Sequence, residues 1–219
     1  MLPSGLVDGY RLWREARLPQ ERGRLAQLAA LGQAPQAFII ACCDSRMSPE
    51  TVFSSGPGEL FVMRNVANVV PPYQPDGRHH GTSAAIEFAL LGLAVPHIVV
   101  MGHSHCGGVK AYLQSSFDEN AGSRGDFIGH WMDLIEGAKE DALAREPGLL
   151  GRALELATEE AAIRLSIRHL RTFPEVSRRE AEGTLTVHGA HLDIANGQLT
   201  VLDEETGAFA PVLGSQLIA

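Results

Sequence analysis

Cysteine is scarce in this sequence, and basic residues do not predominate. The 219 residues include only three cysteines, and two of these are adjacent at Cys42 and Cys43. An odd, clustered set does not fit a disulfide framework and is more typical of reduced thiols that bind metal or take part in redox chemistry. Lys and Arg number 18 against 26 Asp and Glu. The resulting net charge of -8 argues against non-specific nucleic-acid binding, which needs a surplus of cations.

The sequence also lacks the apolar segments that place a protein in a membrane. No uninterrupted apolar run approaches the ~18 residues needed to span a bilayer. Residues Met1 to Tyr10 have neither the basic start nor the apolar core of a signal peptide. We therefore expect a soluble, cytoplasmic protein without a membrane partner. Because 45% of the residues are hydrophobic and 20% are charged, the chain can bury a core, and we expect a single domain over residues 1–219.

Short apolar runs alternate with helical patterns in the first half of the chain. This alternation is typical of βαβ units, so we predict an α/β fold with a central, mostly parallel sheet flanked by helices. The predicted buried strands are Ala37–Ala41, Leu60–Met63 and His97–Met101. The predicted helix starts are Ser48 before Pro49, Thr82 or Ser83 for a helix to Leu93, and Gly107-Gly108 for a helix to Leu113.

The two ends of the chain carry further helical and strand patterns. Leu6, Tyr10 and Trp13 have helical spacing, which predicts a helical N-terminal arm over residues 1–32 that packs on the body of the chain or on a partner subunit. The pattern in the second half of the chain predicts two helices and two late strands, with Asn196-Gly197 as the turn of an edge hairpin. These elements are Phe127–Leu143, Leu149–Phe173, Leu185–Val187 and Leu199–Leu202.

Two polar clusters follow the first and third predicted strands. In the first, Cys42, Asp44 and Arg46 point to one side if the chain stays extended, because side chains alternate with a period of two. Arg46 can then bind the Asp44 carboxylate with both arms of its guanidinium group and keep that carboxylate ionised. In the second cluster, His103 and Cys106 lie in a glycine-rich turn.

The two clusters together predict a zinc site. In open parallel sheets, ligands bind beyond the carboxyl ends of the strands, so the clusters meet if the first and third strands are neighbours. Two thiolates and one imidazole suit Zn²⁺ and leave a coordination position for water, as in a catalytic site. Cys42 is preferred to Cys43 because Cys43 faces away from Asp44. His103 is preferred to His105 because adjacent residues such as His105 and Cys106 rarely bind one metal ion.

Three motifs in this order resemble those of the β-class carbonic anhydrases. They are C-x-D-x-R from Cys42, P-G-E-L-F-V-x-R-N-x-A-N from Pro57 to Asn68, and G-H-S-x-C-G-G from Gly102 to Gly108. Each motif is weak alone, whereas the three in sequence are specific. The resemblance covers the chain from about Gln33 to Lys110.

The resemblance implies the reversible hydration of carbon dioxide to bicarbonate and a proton by attack of zinc-bound hydroxide. By this resemblance Cys42, His103 and Cys106 are the ligands of Zn²⁺. Asp44 and Arg46 are the catalytic dyad that orients the hydroxide. The resemblance also implies a homodimer or a dimer-based oligomer, with pocket residues drawn from both subunits.

The resemblance further implies a substrate pocket and a subclass. Gln33, Phe61 and Phe88 match pocket positions of a plant-like subclass, in which the plant enzymes have tyrosine at the position of Phe88. Gln33 and backbone amides near Gly107 are expected to stabilise the bicarbonate oxygens. Ile39 stands where a second subclass has a tryptophan that helps to form a non-catalytic bicarbonate site. We therefore expect the subclass without that site, in which Asp44 pairs with Arg46 and does not bind the zinc.

Several alternatives remain open at the level of sequence. The same metal site could serve a relative that hydrolyses carbon disulfide or carbonyl sulfide, or a non-catalytic zinc-binding structural module. His79 and His80 are candidates for the group that passes the proton to solvent. Arg64 and Asn65 are expected to serve the architecture of the backbone and of an interface. Four further residues are taken as structural or surface residues: Cys43, His105, His188 and His191.

Overall fold

The fold is described from a computed structural model, which covers residues 1–115, 125 and 127–212. A six-stranded sheet has the strand order β2-β1-β3-β4-β5-β6. The first three pairings, β2 with β1, β1 with β3 and β3 with β4, are parallel, and the last two are antiparallel. The predicted mostly parallel sheet is therefore confirmed. The strands are β1 (Ala37–Cys42), β2 (Leu60–Asn65), β3 (His97–His103), β4 (Thr186–Leu192), β5 (Leu199–Leu202) and β6 (Phe209–Pro211).

The first and third strands are neighbours, as the zinc prediction requires. Every residue of β1 is buried, which fits a central parallel strand covered on both faces. Its apolar side chains alternate between two core clusters, so that Phe38 belongs to one cluster and Ile39 to the other. Ala41 of β1 is paired with Met101 of β3, so both strands end at the same edge of the sheet. The loops after β1 and β3 leave the sheet at this edge.

The N-terminal arm is helical, as predicted. Its second half lies against its own chain, because Arg24 donates a hydrogen bond to the carbonyl of Pro57 and Leu28 lies beside Gly58. A Cβ at Gly58 would lie 2.7 Å from Leu28, and the positive φ of 80° at this position also favours glycine. In the first half, Leu6 and Tyr10 are exposed. The arm consists of α1 (Ser4–Leu12), a π-helical segment (Trp13–Arg17) and α2 (Leu18–Leu31).

The other helices lie on the two faces of the sheet. Both predicted helices of the second half exist, but the first is interrupted by a 3₁₀ turn at Asp133–Ile135. The helix predicted to start at Thr82 or Ser83 begins instead at Gly81, and the Thr82 hydroxyl accepts a hydrogen bond from Asn65. The helices are α3 (Pro49–Val52), α4 (Gly81–Glu87) with a π-helical turn (Phe88–Gly92), α5 (Gly107–Leu113), α6 (Ile128–Met132), α7 (Glu136–Arg145), α8 (Gly151–Leu170) and α9 (Pro174–Ala181).

Glycines in the sheet allow α8 to pack closely on it. A side chain at Gly102 of β3 would meet Ile163 at 2.8 Å, and one at Gly189 of β4 would meet Ile163 at 2.9 Å. Gly189 also explains why β4 was predicted too short: with His188 and His191 it interrupts the apolar pattern, although the strand continues to Leu192. The strand β6 and the helix α9 were not predicted.

Candidate metal centre

Two thiols and one imidazole converge at the carboxyl edge of the sheet. Cys42 ends β1, His103 ends β3, and Cys106 immediately precedes α5. Their ligand atoms all lie within 4.8 Å of one another, and each residue is at most 4% exposed. The predicted convergence of the two loops is therefore confirmed, and within the described part of the chain this is the one such group of three or more metal-ligating side chains.

The imidazole of His103 is oriented for a cation. Its Nδ1 lies 2.9 Å from the carbonyl oxygen of Ser104, so Nδ1 carries the proton and Nε2 presents a lone pair. Nε2 is buried and is the one such side-chain nitrogen or oxygen among residues 1–115, 125 and 127–212 that lacks a hydrogen-bond partner. A buried acceptor without a partner costs free energy unless another group binds it. Zn²⁺ takes imidazole nitrogen and thiolate sulfur, so these donors fit zinc.

The turn after His103 is fixed by its own hydrogen bonds. The Ser104 amide donates to the carbonyl of Leu192 at 2.8 Å. The Ser104 hydroxyl donates to Asp193 and accepts from the Ile194 amide, each at 3.0 Å. The loop that carries His103 and Cys106 is thus bound to the end of β4.

The two thiols affect one another's protonation. A hydrogen bond from Cys106 lowers the pKa of Cys42 to about 4, against the opposing effect of burial. The same interaction with Cys42, together with burial, raises the pKa of Cys106. Two sulfurs so close together do not both ionise unless a positive charge compensates them. A divalent cation bound at this position would supply that charge.

Asp44 and Arg46 form a bidentate ion pair beside the thiols. Arg46 Nε donates to Asp44 Oδ1 at 2.9 Å and Arg46 Nη2 donates to Oδ2 at 2.7 Å. These hydrogen bonds hold the pKa of Asp44 well below its usual range, so the carboxylate stays ionised. Asp44 Oδ2 lies 3.9 Å from His103 Nε2. The carboxylate therefore lies next to the three donors while remaining bound to the guanidinium group.

The geometry of this pair differs from the prediction in one respect. The chain does not stay extended to Arg46 but turns at Ser45, and the Arg46 amide donates to Asp44 Oδ1 at 3.0 Å. Side-chain alternation therefore does not explain the pairing. Arg46 Nη2 also donates to the carbonyl of His105 at 2.9 Å, and His105 has a positive φ of 57° that few non-glycine residues adopt. Arg46 thus links the two loops of the centre.

Arg64 has the backbone role expected of it. Its guanidinium group donates to the carbonyl oxygens of Cys42, Asp44 and Met47 at 2.9, 2.7 and 2.6 Å. Asn65 accepts from the Val69 amide and donates to the Val69 carbonyl, which fixes the segment after β2. The loop that carries Cys42 and Asp44 is therefore held from the neighbouring strand.

Sequence reasoning missed one group behind the centre. The Cys106 amide donates to Glu159 of α8, a buried carboxylate that also contacts Arg152 and His191. Glu159 lies in a helix of mixed charged and apolar residues, where no local pattern separates a buried carboxylate from a solvated one. His191 was taken as a structural or surface residue, and it is buried.

Comparison with known proteins identifies the family. The sequence profile of the family described as carbonic anhydrase matches residues 37–199. A carbonic anhydrase of Pseudomonas aeruginosa is 35% identical over 208 residues, which cover 93% of this chain and 89% of that protein. The chain belongs to the carbonic anhydrase family.

Solved structures narrow the family to its β class. The structure of the β-carbonic anhydrase CcaA matches with a TM-score of 0.86 and 30% identity, over 97% of this chain and 92% of that chain. A structure from work on two tetrameric β-carbonic anhydrases of Sordaria macrospora matches with a TM-score of 0.78 and 28% identity, over 94% and 98%. The family's general activity is the hydration of carbon dioxide. No helix in the described ranges is both long and apolar enough to cross a membrane.

The predicted pocket residues do not all lie with the metal donors. Gly107 directly follows Cys106 and begins α5. Phe61 packs with the apolar cluster of Phe38, whereas Cys42 belongs to the cluster on the other face. Phe88 contacts Phe61 with ring centroids 5.7 Å apart and ring planes tilted by 45°, and Phe88 is 52% exposed. Gln33 lies exposed between α2 and β1.

A separate cavity of about 860 Å³ opens beside the end of β2. Asn65, the partner of Cys42 in strand pairing, lies in its wall. His79 and His80 line the same cavity, and His80 Nε2 lies 2.7 Å from Asp76 Oδ1. The two candidates for proton transfer therefore lie on the side of the sheet edge that carries the centre, and their role stays a prediction.

Proposed function

We propose that this chain catalyses the reversible hydration of carbon dioxide to bicarbonate and a proton, with Zn²⁺ bound by Cys42, His103 and Cys106. One observation carries the proposal: the partnerless, buried Nε2 of His103 lies among two thiols and beside an arginine-bound carboxylate. A purely structural zinc site has four protein donors. This group has three within the described part of the chain, and the Asp44 carboxylate is bound by Arg46.

The bound ion and the protein residues contribute different chemistry. Zinc lowers the pKa of a coordinated water molecule, an effect for which carbonic anhydrases are the standard example. Asp44 accepts a hydrogen bond from the attacking oxygen and directs its free lone pair at carbon dioxide. Because Arg46 keeps Asp44 ionised, the carboxylate acts only as an acceptor. The backbone amides near Gly107 donate to the developing bicarbonate oxygens.

Two features support the subclass without a non-catalytic bicarbonate site. Ile39 is 1% exposed and packs in the apolar core, so an apolar side chain fills the position. The bidentate pair of Asp44 with Arg46 supports an open centre in which the carboxylate does not bind the zinc.

We further propose that the active protein is a homodimer or a dimer-based oligomer. The tetrameric Sordaria macrospora relatives support an oligomer. Gln33 and Phe88 are exposed although the family places both in the carbon dioxide pocket. A second copy that covers them would bring Gln33, Phe61 and Phe88 of one subunit to the pocket of the other. Light scattering tests this assembly, and a monomer that is fully active would contradict it.

Metal analysis with a gas-hydration assay tests the function. We expect about one zinc per chain and stopped-flow hydration of carbon dioxide well above the uncatalysed rate. The same assay with carbon disulfide and carbonyl sulfide measures the alternative hydrolase activity. Zinc without turnover of any gas would support the structural module and contradict the proposal. Hydrolysis of carbon disulfide without hydration of carbon dioxide would also contradict the proposal and would support the hydrolase.

A further inference from the structure

A carboxylate is buried directly behind one of the proposed zinc ligands. Glu159 of α8 is 4% exposed, and its Oε1 accepts a hydrogen bond from the Cys106 amide at 3.0 Å. This amide belongs to the residue that carries the sulfur, immediately before α5. The contact joins residues 53 positions apart in sequence, so it depends on the packing of α8 on the sheet.

Two further groups fix the Glu159 carboxylate. Arg152 Nη1 donates to Oε1 at 3.0 Å and Arg152 Nη2 donates to Oε2 at 3.3 Å. His191 Nε2 lies 3.1 Å from Oε2. Burial raises the pKa of Glu159, but the hydrogen bonds from His191, Arg152 and Cys106 outweigh it and lower the pKa. The carboxylate is therefore ionised. Its hydrogen-bond partners are Arg152 on the same helix, His191 of β4 and the Cys106 amide before α5.

The groups that meet at Glu159 adjoin the segments that carry two of the three proposed zinc ligands, His103 and Cys106. His191 of β4 is paired with Gly102, the residue before His103 in β3. Arg152 lies on the same helix as Glu159, and Cys106 lies in the loop between β3 and α5. An ion pair that served only to attach α8 to the sheet would not need the amide of a cysteine ligand. Hydrogen-bond partners behind a ligand commonly fix its orientation toward the metal.

We propose that Glu159, held by Arg152 and His191, is a positioning residue that fixes the backbone of Cys106 and thereby orients its sulfur toward the zinc ion. The inference rests on the proposed function, since it assumes that Cys106 binds zinc. Loss of such a partner typically lowers metal affinity by about 10- to 100-fold. The effect reaches the metal through Cys106, so Glu159 itself need not contact zinc or substrate.

Zinc affinity and cobalt spectroscopy of matched variants test this role. Glu159→Met removes the acceptor with little change of volume, and we expect zinc affinity, measured by chelator competition, to fall about 10- to 100-fold. We also expect the sulfur-to-cobalt absorption bands of the Co²⁺-substituted protein to shift. Glu155→Gln is the control, because Glu155 binds the same Arg152 at 3.3 Å on the same helix without contacting Cys106. Its zinc affinity and spectrum should match those of the wild type.

A second variant keeps the test decisive if Glu159→Met does not fold. Glu159→Gln retains an acceptor oxygen but loses the charge, which weakens the hydrogen bond from the Cys106 amide. We expect a several-fold loss of zinc affinity and a smaller spectral shift. A lower Tm with wild-type zinc affinity and cobalt bands in the folded variants would overturn the inference, because that result describes an ion pair with a structural role only. A wild-type protein that binds no zinc would instead contradict the proposed function.

Discussion

The two ends of β3 each carry a histidine, and the two histidines differ in burial and in hydrogen-bond partners. At the carboxyl end, His103 is 1% exposed, its Nδ1 is bound by a backbone carbonyl, and its Nε2 lies within 4.8 Å of two sulfurs. At the amino end, His97 is exposed and its Nδ1 lies 3.3 Å from Nε2 of His188 on the neighbouring strand. The rings of this second pair contact each other, with centroids 5.3 Å apart.

The difference shows what a metal centre requires beyond nearby histidines. The carboxylate charge of Glu204 favours the protonated form of His188, but Glu204 is bound by Arg171 at 2.9 Å. At the other end, Arg46 binds Asp44 in an orientation that keeps the carboxylate beside the three donors. Burial, a fixed tautomer and supporting hydrogen bonds therefore distinguish the proposed zinc site from the exposed pair of His97 and His188.

The largest expected effect comes from removing a sulfur at the carboxyl end. Cys106→Ser should lose zinc, because a thiolate ligand is replaced by a weaker donor. The loss of zinc affinity should exceed the ~100-fold expected when a hydrogen-bond partner behind a ligand is removed. Metal analysis after dialysis measures this. Cys43→Ser is the control, since Cys43 is adjacent to Cys42 but exposed and outside the donor group. Full zinc content in Cys106→Ser would refute the ligand assignment.

The next effect separates catalysis from metal binding. Asp44→Asn should keep zinc yet lose about 10²- to 10⁴-fold in turnover, because the amide no longer provides an ionised acceptor for the attacking oxygen. Stopped-flow rates together with metal content measure both quantities. Glu175→Gln is the control, since Arg178 binds Glu175 with the same bidentate geometry on α9, away from the centre. An undiminished rate in Asp44→Asn would remove Asp44 from the mechanism.

A smaller effect concerns the close packing behind His103. Gly102→Ala places a methyl group 2.8 Å from Ile163, and overpacking of this kind costs about 1–3 kcal/mol of unfolding free energy. Denaturant unfolding measures the loss. Gly137→Ala in α7 is the matched control, because no atom lies within 4 Å of the added group and stability should not fall. Equal stability of the two variants would contradict the close approach of α8 to β3.

The smallest effect is expected at the amino end. Burial and the charge of His97 lower the pKa of His188 below its usual value of 6.5. The unfolded chain then binds the proton first, so stability is present above pH 6.5 and is lost as the pH falls through the folded pKa. His188→Gln should reduce the loss of Tm between pH 7.5 and pH 5.5 by no more than about 2 °C, since the ring is partly solvated. A larger fall in Tm between pH 7.5 and pH 5.5 in the variant than in the wild type would contradict the predicted direction of the pKa shift.

The sequence was sufficient to predict the parallel strands and the convergence of two thiols and one imidazole. Buried apolar runs identify β1, β2 and β3, and parallel strands that end at one edge bring Cys42 to His103 and Cys106. This reasoning depends only on local pattern and on the general topology of open sheets. These predictions therefore do not require knowledge of how the helices pack on the sheet.

Features set by tertiary packing could not be predicted in the same way. The close approach of α8 to β4 requires a glycine at Gly189 beside Ile163, and the histidines of β4 interrupt the apolar pattern. The pairing of Asp44 with Arg46 depends on a turn and not on strand alternation. Glu159 is recognisable only once α8 is placed on the sheet. The pocket roles of Gln33, Phe61 and Phe88 stay predictions.

X-ray absorption at the zinc edge of the purified protein tests the central claim most directly. The account predicts about one zinc per chain with two sulfur neighbours at about 2.3 Å and two nitrogen or oxygen neighbours at about 2.0–2.2 Å. One of these lighter neighbours should be an imidazole, and the other should be exchangeable with an added anion such as azide. Protein without zinc, or zinc with three or more sulfurs or no exchangeable neighbour, would contradict it.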